Sequence, residues 1–181
     1  NFPTEADNLT SLPVFQFGNW LFTSLKSSQP PENFFKDISE RVGWMPFEKF
    51  VFRPDLSRDY VIDAHWALYC ENYLEGFHIP FVHAGLNSVI DYSNYTVELF
   101  RYSCLQLGIA QEGELTFDLP AASKDAGKKV ASYYFWVFPN LMFNFYPWGL
   151  SINVIRPIGI SKTVVRFLSY VWDESKLRQG A

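Results

Sequence analysis

Hydrophobic residues follow a helical spacing in two segments of the first half of the chain. Apolar side chains recur every three or four residues between Phe34 and Val42, directly after two consecutive prolines that favour a helix start. Residues 64–77 contain no helix-breaking residue before Gly76, so a second helix is predicted there. This helix is expected to end or kink near Ile79, because Pro80 disfavours the helical conformation of the residue before it.

Beyond residue 86 the apolar residues alternate with polar ones, which is typical of strands with one buried face. Turn-forming residues separate the candidate strands. Earlier in the chain, residues 17–25 are predicted as one strand and residues 47–64 as one or two, broken at Pro54-Asp55. The seven later candidates are residues 94–102, 103–110, 114–119, 130–139, 141–149, 150–158 and 163–172. Helices followed by a run of antiparallel strands predict an α+β fold, with residues 1–181 forming a single domain.

Composition narrows the classes of function. Apolar residues make up 48% of the 181 residues and aromatic residues 19%, which predicts a thick core, a large apolar pocket, or both. A net charge of −4 without clustered basic residues argues against nucleic-acid binding. No apolar run approaches the length of a membrane span, so the protein is expected to be cytoplasmic. Cys70 and Cys104 are expected to be buried thiols, although a disulfide remains an alternative.

Candidate chemistry is concentrated in the stretch "ENYLEGFHIPFVH", which holds two of the three histidines. On a continuous helix Glu75 and His78 would share one face, with Asn72 one turn earlier. A break at Pro80 would allow His83 to turn towards His78, and two converging imidazoles suit a divalent ion such as iron. From the spacing alone, surface or internally bonded histidines remain an alternative.

The motif "NYLEGFHIPFVH" resembles the signature of the Rieske non-haem iron oxygenases, in the catalytic domain of their large subunit. The shared pattern is an acid, two residues, a histidine, four residues and a second histidine. The flanking segments "GNWLFTSL", "YYFWVFPNLMFNFYPWGLSINVIRP" and "YVWDES" resemble strands of the same domain. Glutamate before Gly-Phe-His is more similar to the choline monooxygenase-like and phenylpropionate dioxygenase-like branch than to the naphthalene dioxygenase branch.

The resemblance implies specific roles for the motif residues. His78 and His83 match the ligands of a mononuclear Fe(II). Glu75 matches a bridging acid that is hydrogen-bonded to an iron-ligand histidine and to a cluster-ligand histidine of a neighbouring subunit. Asn72 matches a position close to the iron. The third ligand, an acid, is expected beyond Ala181, so the chain resembles the middle of an oxygenase subunit.

The resemblance also implies a fold, cofactors and partners. The expected fold is an antiparallel sheet of about seven strands wrapped around a long helix, a helix-grip fold of the START or Bet v 1 type. A [2Fe–2S] Rieske cluster is expected in the full-length enzyme but not on this chain, which lacks the Cys-x-His and Cys-x-x-His pairs. Electrons would come from NAD(P)H through a reductase or ferredoxin to a homo-oligomer, expected to be a trimer. The reaction would use dioxygen to hydroxylate, dihydroxylate or demethylate a small aromatic or quaternary ammonium compound.

Two other functions remain open from the sequence. A START-like module could bind an apolar ligand without any chemistry. Structural zinc is a weaker alternative, because zinc normally has four closed ligands. His65 is expected to be a packed or exposed histidine at a helix start, and Asp173 and Glu174 are not predicted as metal ligands.

Overall fold

The computed structural model describes residues 2–177 and 179–180, which form an antiparallel sheet, a separate hairpin and short helices. In chain order the elements are β1 (Val14–Phe17), β2 (Trp20–Thr23), α1 (Glu32–Val42), β3 (Val51–Phe52), β4 (Arg58–Ile62), α2 (Trp66–Leu74), α3 (Ile79–Val82), α4 (Ala84–Val89), β5 (Thr96–Leu99), β6 (Ser103–Ile109), β7 (Val130–Val137), β8 (Leu141–Tyr146), β9 (Gly149–Gly159) and β10 (Lys162–Val171).

The large sheet has eight strands, and each observed pairing in it is antiparallel. Its order is β3-β10-β9-β8-β7-β6-β5, and β4 also pairs with β10. Strands adjacent in sequence are therefore adjacent in space from β5 to β10, as expected for short connections. The α+β class with an antiparallel sheet is confirmed.

Six of the seven later candidates form strands, and residues 114–119 do not. That segment donates a backbone hydrogen bond from Phe117 to the Val130 carbonyl at 2.9 Å. The Phe117 ring packs 5.3 Å from the Tyr133 ring, between centroids. The segment is therefore held by one backbone hydrogen bond and the buried Phe117 ring rather than by strand pairing.

Residues 17–25, predicted as one strand, contain β2, but Phe17 ends β1 and the two strands form a hairpin. Gly18 has a φ of +56°, which glycine adopts without steric cost, and Gly18-Asn19 form the two-residue turn. The break predicted at Pro54-Asp55 agrees with the structure, in which β3 and β4 lie on either side of it.

The long helix is not found in the described part of the chain, where the longest helix is α1 with 11 residues. α2 ends at Leu74, and Glu75 is already extended with φ −112° and ψ 139°. Gly76 lies so close to the Tyr95 ring that an added Cβ would be 2.8 Å from Cε1. The chain therefore leaves the helix before Pro80, and two short helices, α3 with four residues and α4 with six, follow.

The main hydrophobic core lies between one face of the sheet and the layer formed by α1 and the β1–β2 hairpin. Phe35, Ile38 and Val42 of α1 are buried in it, as their spacing predicts. The hairpin contributes Phe17 and Trp20, whose rings contact each other and the Phe143 ring of β8. This core leaves the opposite face of the sheet free to line a cavity.

A buried ion pair joins α1 to the connection between β6 and β7. Arg41 donates to Asp125 through Nε at 2.6 Å and Nη2 at 2.9 Å. Asp125 also accepts from Lys128 Nζ at 2.9 Å and from Tyr133 Oη at 3.1 Å. Because a buried charge needs compensating partners, this network holds the long connection against the core.

On the second face of the sheet, α2 packs through Cys70 onto Met142 and Ile155. Cys70 and Cys104 are both free and buried, as favoured from the sequence. Among the described residues there is no helix with the length and hydropathy needed to cross a membrane.

Candidate metal centre and its cavity

Glu75 and His78 meet through a turn of the chain rather than along a helix face. Glu75 follows the last residue of α2, and His78 is the N-cap residue of α3. His78 Nδ1 and Glu75 Oε1 are 2.5 Å apart. The helical geometry predicted for this pair is therefore wrong, although the two side chains are in contact.

His83 is brought beside His78 by the single turn of α3. His78 precedes this helix and His83 follows it, which places the two ring centroids 4.9 Å apart with the planes inclined at 71°. Pro80 lies in the first turn of α3, where its missing N–H has no intrahelical partner to lose. Pro80 thus lies inside a short helix that joins the two histidines, whereas the sequence predicted a break at this point.

The contact with Glu75 determines which nitrogen of His78 is available to a ligand. An ionised carboxylate only accepts hydrogen bonds, so His78 Nδ1 is the donor and Nε2 is the ring nitrogen that Glu75 does not engage. Desolvation acts to raise the pKa of Glu75, but the hydrogen bond and charge of His78 together with the backbone N–H groups of Phe77 and His78 outweigh it, and the pKa is lowered. Glu75 therefore stays ionised at neutral pH and orients the ring.

The cluster lies at one side of a cavity of about 310 Å³ between the helices and the second face of the sheet. Asn72, in the last turn of α2, also lines this cavity. Among the described lining residues Glu75 is the only carboxylate, and none is Lys or Arg. Five tyrosines contribute to the wall: Tyr69, Tyr73, Tyr95, Tyr134 and Tyr146.

Burial keeps these phenols protonated. It raises the pKa of Tyr69 to about 12 and raises the pKa of Tyr73 and Tyr146 well above the ordinary value. The phenols are therefore neutral at physiological pH and offer ring faces and hydroxyl groups, not negative charge. The cavity wall is apolar over its rings and negative at Glu75.

A chain of hydrogen bonds fastens the end of α2 to the sheet. Gln106 Nε2 donates to the Tyr73 carbonyl at 2.5 Å, and Gln106 Oε1 accepts from Tyr95 Oη at 3.0 Å. Tyr73 Oη donates to Asn144 Oδ1 at 2.8 Å, and Asn144 Nδ2 donates to the Ser151 carbonyl at 3.1 Å. These bonds fix the residues that directly precede Glu75.

Sequence reasoning missed Gln106 and Asn144 as parts of the site. Both are amides within strands whose other inward positions are apolar, in "SCLQLGIA" and "LMFNFY". Gln106, Tyr134, Asn144 and Ser151 stand opposite one another across β6 to β9. A buried amide in an apolar strand was the available signal, because such a group needs a partner.

The remaining candidate residues lie elsewhere. His65 is exposed at the start of α2, where Nδ1 accepts from the Ala67 N–H at 3.3 Å. Asp173 accepts from the backbone and hydroxyl of Ser175, and Glu174 pairs with Arg53. His65 therefore agrees with its predicted position at a helix start, and neither acid contributes to the cavity wall.

The donor set fits part of an iron site. Two imidazoles, one of them oriented by a carboxylate, are the nitrogen ligands of a 2-His-1-carboxylate centre. Residues 2–177 and 179–180 contain no group of three His, Cys, Asp or Glu side chains arranged to hold a metal. The third ligand, predicted beyond residue 181, lies outside the described residues, and the metal role of His78 and His83 stays a prediction.

Comparison with known proteins identifies relatives of this chain. Residues 48–179 match the model of the ring hydroxylating alpha subunit (catalytic domain) family. Choline monooxygenase (chloroplastic) of Arabidopsis thaliana is 35% identical over 122 residues, which cover 65% of this chain and 26% of that protein. The carnitine monooxygenase oxygenase subunit of Acinetobacter pittii (strain PHEA-2) is 23% identical over 179 residues, covering 96% of this chain and 47% of that protein.

Solved structures share the fold. A quaternary ammonium Rieske monooxygenase, described with carnitine oxidation and inter-subunit electron transfer, has a TM-score of 0.74 at 18% identity. The match covers 96% of this chain and 46% of that one. Naphthalene 1,2-dioxygenase from Rhodococcus sp. has a TM-score of 0.65 at 14% identity, covering 90% of this chain and 45% of that one.

The chain spans at most about half the length of these relatives. The family match includes the whole of the cavity-forming region, from β3 through the "LEGFHIPFVH" segment to the last strand. This protein therefore belongs to the ring hydroxylating alpha-subunit family, by the catalytic domain of that subunit.

Proposed function

We propose that this chain is the iron-binding catalytic part of a Rieske-type oxygenase that acts on a small quaternary ammonium compound. The observation that carries the proposal is the Glu75–His78–His83 cluster at the side of a tyrosine-lined cavity. Family membership favours this function over the metal-free binding module that the sequence left open.

His78 and His83 would hold a mononuclear Fe(II). Glu75 occupies Nδ1 of His78, which leaves Nε2 of that ring for the metal. Iron bound there would supply the activation of dioxygen for insertion into the substrate. Asn72 would add a polar contact beside the metal, since it lines the same cavity.

The cavity wall supports a cationic substrate. Tyrosine faces attract a quaternary ammonium group through their quadrupoles, and the Glu75 carboxylate adds a negative charge. Without Lys or Arg among the described wall residues, an anionic substrate would have no counter-ion there. Choline monooxygenase and carnitine monooxygenase, two of the relatives, are named after compounds with a quaternary ammonium group, which agrees with a cationic head in this cavity.

The rest of the enzyme is part of the proposal. The Glu75 side chain is 45% exposed, so a neighbouring subunit could reach it as the bridging acid of the electron path. In the full-length enzyme, a [2Fe–2S] Rieske cluster would deliver electrons that a reductase or ferredoxin takes from NAD(P)H. We propose a homo-oligomer, because a related structure concerns inter-subunit electron transfer, and the resemblance to the family implies a trimer.

Three further features are proposed for the whole protein. Residues 1–181 would form one domain, since α1, the hairpin and the sheet share one core. A long helix in the complete subunit would complete the helix-grip arrangement. The protein would work in the cytoplasm, in agreement with two cysteines that remain free thiols.

Metal binding tests the proposal. The chain is loaded with Fe(II) without oxygen, desalted and measured by elemental analysis, alongside His78→Ala, His83→Ala and His65→Ala. The wild-type chain should retain iron weakly and exchangeably, because two imidazoles alone bind Fe(II) with no preference over zinc or nickel. His78→Ala and His83→Ala should lose most of it.

His65→Ala is the matched control, since that imidazole lies at the exposed start of α2. It should retain as much iron as the wild type. Equal iron in His78→Ala and the wild type would refute the proposed ligands. Tight stoichiometric iron would mean that an acid among residues 1–181 completes the shell.

A further inference from the structure

Tyr95 contacts the chain on both sides of Glu75. Its ring lies against Gly76, where a Cβ added to the glycine would be 2.8 Å from Cε1 and 3.2 Å from Cδ1 of the ring. Its hydroxyl donates to Gln106 Oε1 at 3.0 Å, and Gln106 Nε2 donates to the carbonyl of Tyr73 at 2.5 Å. One aromatic side chain therefore holds the chain before and after the carboxylate that engages the first histidine.

The direction of these hydrogen bonds follows from the chemistry of the groups. The Tyr73 carbonyl only accepts, so the amide NH2 group of Gln106 faces it and Oε1 faces Tyr95. Burial, together with neighbouring groups that include the Glu75 carboxylate, raises the pKa of Tyr95 well above its ordinary value. The phenol is therefore protonated and donates. Gln106 is 2% exposed, so each of these bonds replaces a contact with water that the amide has lost.

The same contacts end α2 and begin α3. A helix leaves its last four carbonyls without a partner inside it, and the Tyr73 carbonyl is one of these in α2. Gln106 supplies the missing donor. Beyond Glu75, the Gly76 carbonyl accepts the first backbone N–H of α3 at 3.1 Å. Tyr95 therefore fixes both ends of residues 75–78, the α2–α3 turn.

The Tyr95 ring, and not the backbone conformation, requires a glycine at position 76. The φ angle of Gly76 lies outside the left-handed region, so alanine could adopt the same backbone. An added methyl group would instead meet the ring closer than carbon atoms pack. A shift of the ring is opposed by its bond to Gln106 and by the Tyr92 ring, stacked 6.0 Å away between centroids. A side chain at this position would therefore displace the α2–α3 turn.

We propose that Tyr95 is a positioning residue that holds the α2–α3 turn so that the Glu75 carboxylate meets His78 Nδ1. This inference rests on the proposed function, in which that contact orients a metal-binding imidazole. An imidazole that a carboxylate orients binds a metal more tightly than one that is free to turn. Displacing the turn should therefore weaken metal binding although every ligand is present and the chain is folded.

A double-mutant cycle between Gly76→Ala and truncation of the Tyr95 ring tests this role. Co(II) is the probe, its affinity is measured by chelator competition, and circular dichroism checks that each variant is folded. Gly76→Ala should weaken Co(II) binding about 3- to 10-fold, less than the loss expected when the Glu75 charge itself is removed. Tyr95→Val removes the ring atoms that support the turn and should weaken binding to a similar degree.

The two losses should not multiply. With Tyr95→Val the added methyl group has room, so the double variant should bind Co(II) within about twofold of Tyr95→Val alone. With Tyr95→Phe the ring remains, so Gly76→Ala should cost as much affinity as it does in the wild type. Losses that multiply in the valine background would show that position 76 and the ring act independently, which would overturn the inference.

Gly85→Ala is the matched control. Gly85 lies in α4, two residues after His83, and a Cβ added there would have no atom within 4 Å. This variant should bind Co(II) as the wild type does. If folded Gly76→Ala binds Co(II) as tightly as Gly85→Ala, the positioning role of Tyr95 is overturned and the proposed ligands remain.

A readout without metal separates this inference from the proposed function. Nitrogen NMR of the metal-free chain reports whether the proton of the neutral His78 ring is on Nδ1, where Glu75 accepts it. This tautomer should dominate in the wild type and in Gly85→Ala, and its population should fall in Gly76→Ala. An unchanged population would overturn the inference. A wild-type chain that has this tautomer but binds no Co(II) would refute the proposed function and, with it, the effect of Tyr95 on a metal.

Discussion

Replacement of Asp125 by asparagine tests the buried network that joins α1 to the β6–β7 connection. The Asp125 side chain is 0% exposed and accepts four hydrogen bonds, two from Arg41 and one each from Lys128 and Tyr133. Asparagine keeps one acceptor oxygen, and its amide group would face donors. At least two of the four hydrogen bonds are therefore lost in a buried place, one of them from Arg41.

The magnitude follows from burial. The Arg41 side chain is 8% exposed, so removing its main partner leaves a nearly buried charge, and such changes cost about 3–5 kcal/mol. Glu98, 2.8 Å from Arg41 Nη2, remains and keeps the cost within that range. Lys128 is half exposed and contributes less than about 1 kcal/mol. The midpoint of thermal unfolding should fall by about 6–20 °C.

The pH dependence has a definite sign. Burial acts to raise the pKa of Asp125, but the hydrogen bonds and charges of Arg41 and Lys128 together outweigh it and hold the pKa below its usual range. A carboxyl whose pKa is lower in the folded state contributes stability above its unfolded pKa of about 4. The stability difference between wild type and Asp125→Asn should therefore be largest near neutral pH and shrink as the pH falls below about 4.

Urea unfolding followed by tryptophan fluorescence measures this difference. Asp59→Asn is the control, because Asp59 also pairs with an arginine, Arg166, but at side-chain exposures of 45% and 43%. The control should cost less than about 1 kcal/mol. If Asp125→Asn costs no more than Asp59→Asn, the buried network does not stabilise the fold and the reasoning is refuted.

Two predictions concern the candidate metal centre. Glu75→Gln should lower the affinity of the chain for Fe(II) or Co(II) about 10- to 100-fold, because it removes the charge that orients His78. Chelator competition measures this affinity, and an unchanged value would contradict the orienting role of Glu75. Gln106→Leu should destabilise the chain by about 1–3 kcal/mol, because it leaves the Tyr73 carbonyl and the Tyr95 hydroxyl without their partner. It should also speed amide hydrogen exchange in residues 71–83, and protection equal to the wild type would show that α2 does not depend on this bond.

Local pattern was sufficient for much of the fold. Alternation predicted six strands of the sheet, and helical spacing predicted α1 with its buried Phe35, Ile38 and Val42. These features depend on which face of an element is apolar, and neighbouring residues alone encode that. The predictions failed where a contact between residues distant in sequence determines the local structure. Phe117 anchors residues 114–119 without strand pairing, and the Tyr95 ring crowds Gly76 where α2 ends.

The sequence by itself determined which residues form the candidate centre, since Asn72, Glu75, His78 and His83 lie within twelve residues and resemble a known motif. Only the tertiary structure decided what surrounds them. Gln106, Tyr134 and Asn144 come from three strands and share the cavity because of their register, which local pattern does not specify. The hydrogen bond between Tyr95 and Gln106 and the buried Asp125 became visible in the same way, because hydrogen bonding and burial depend on residues that are distant in sequence.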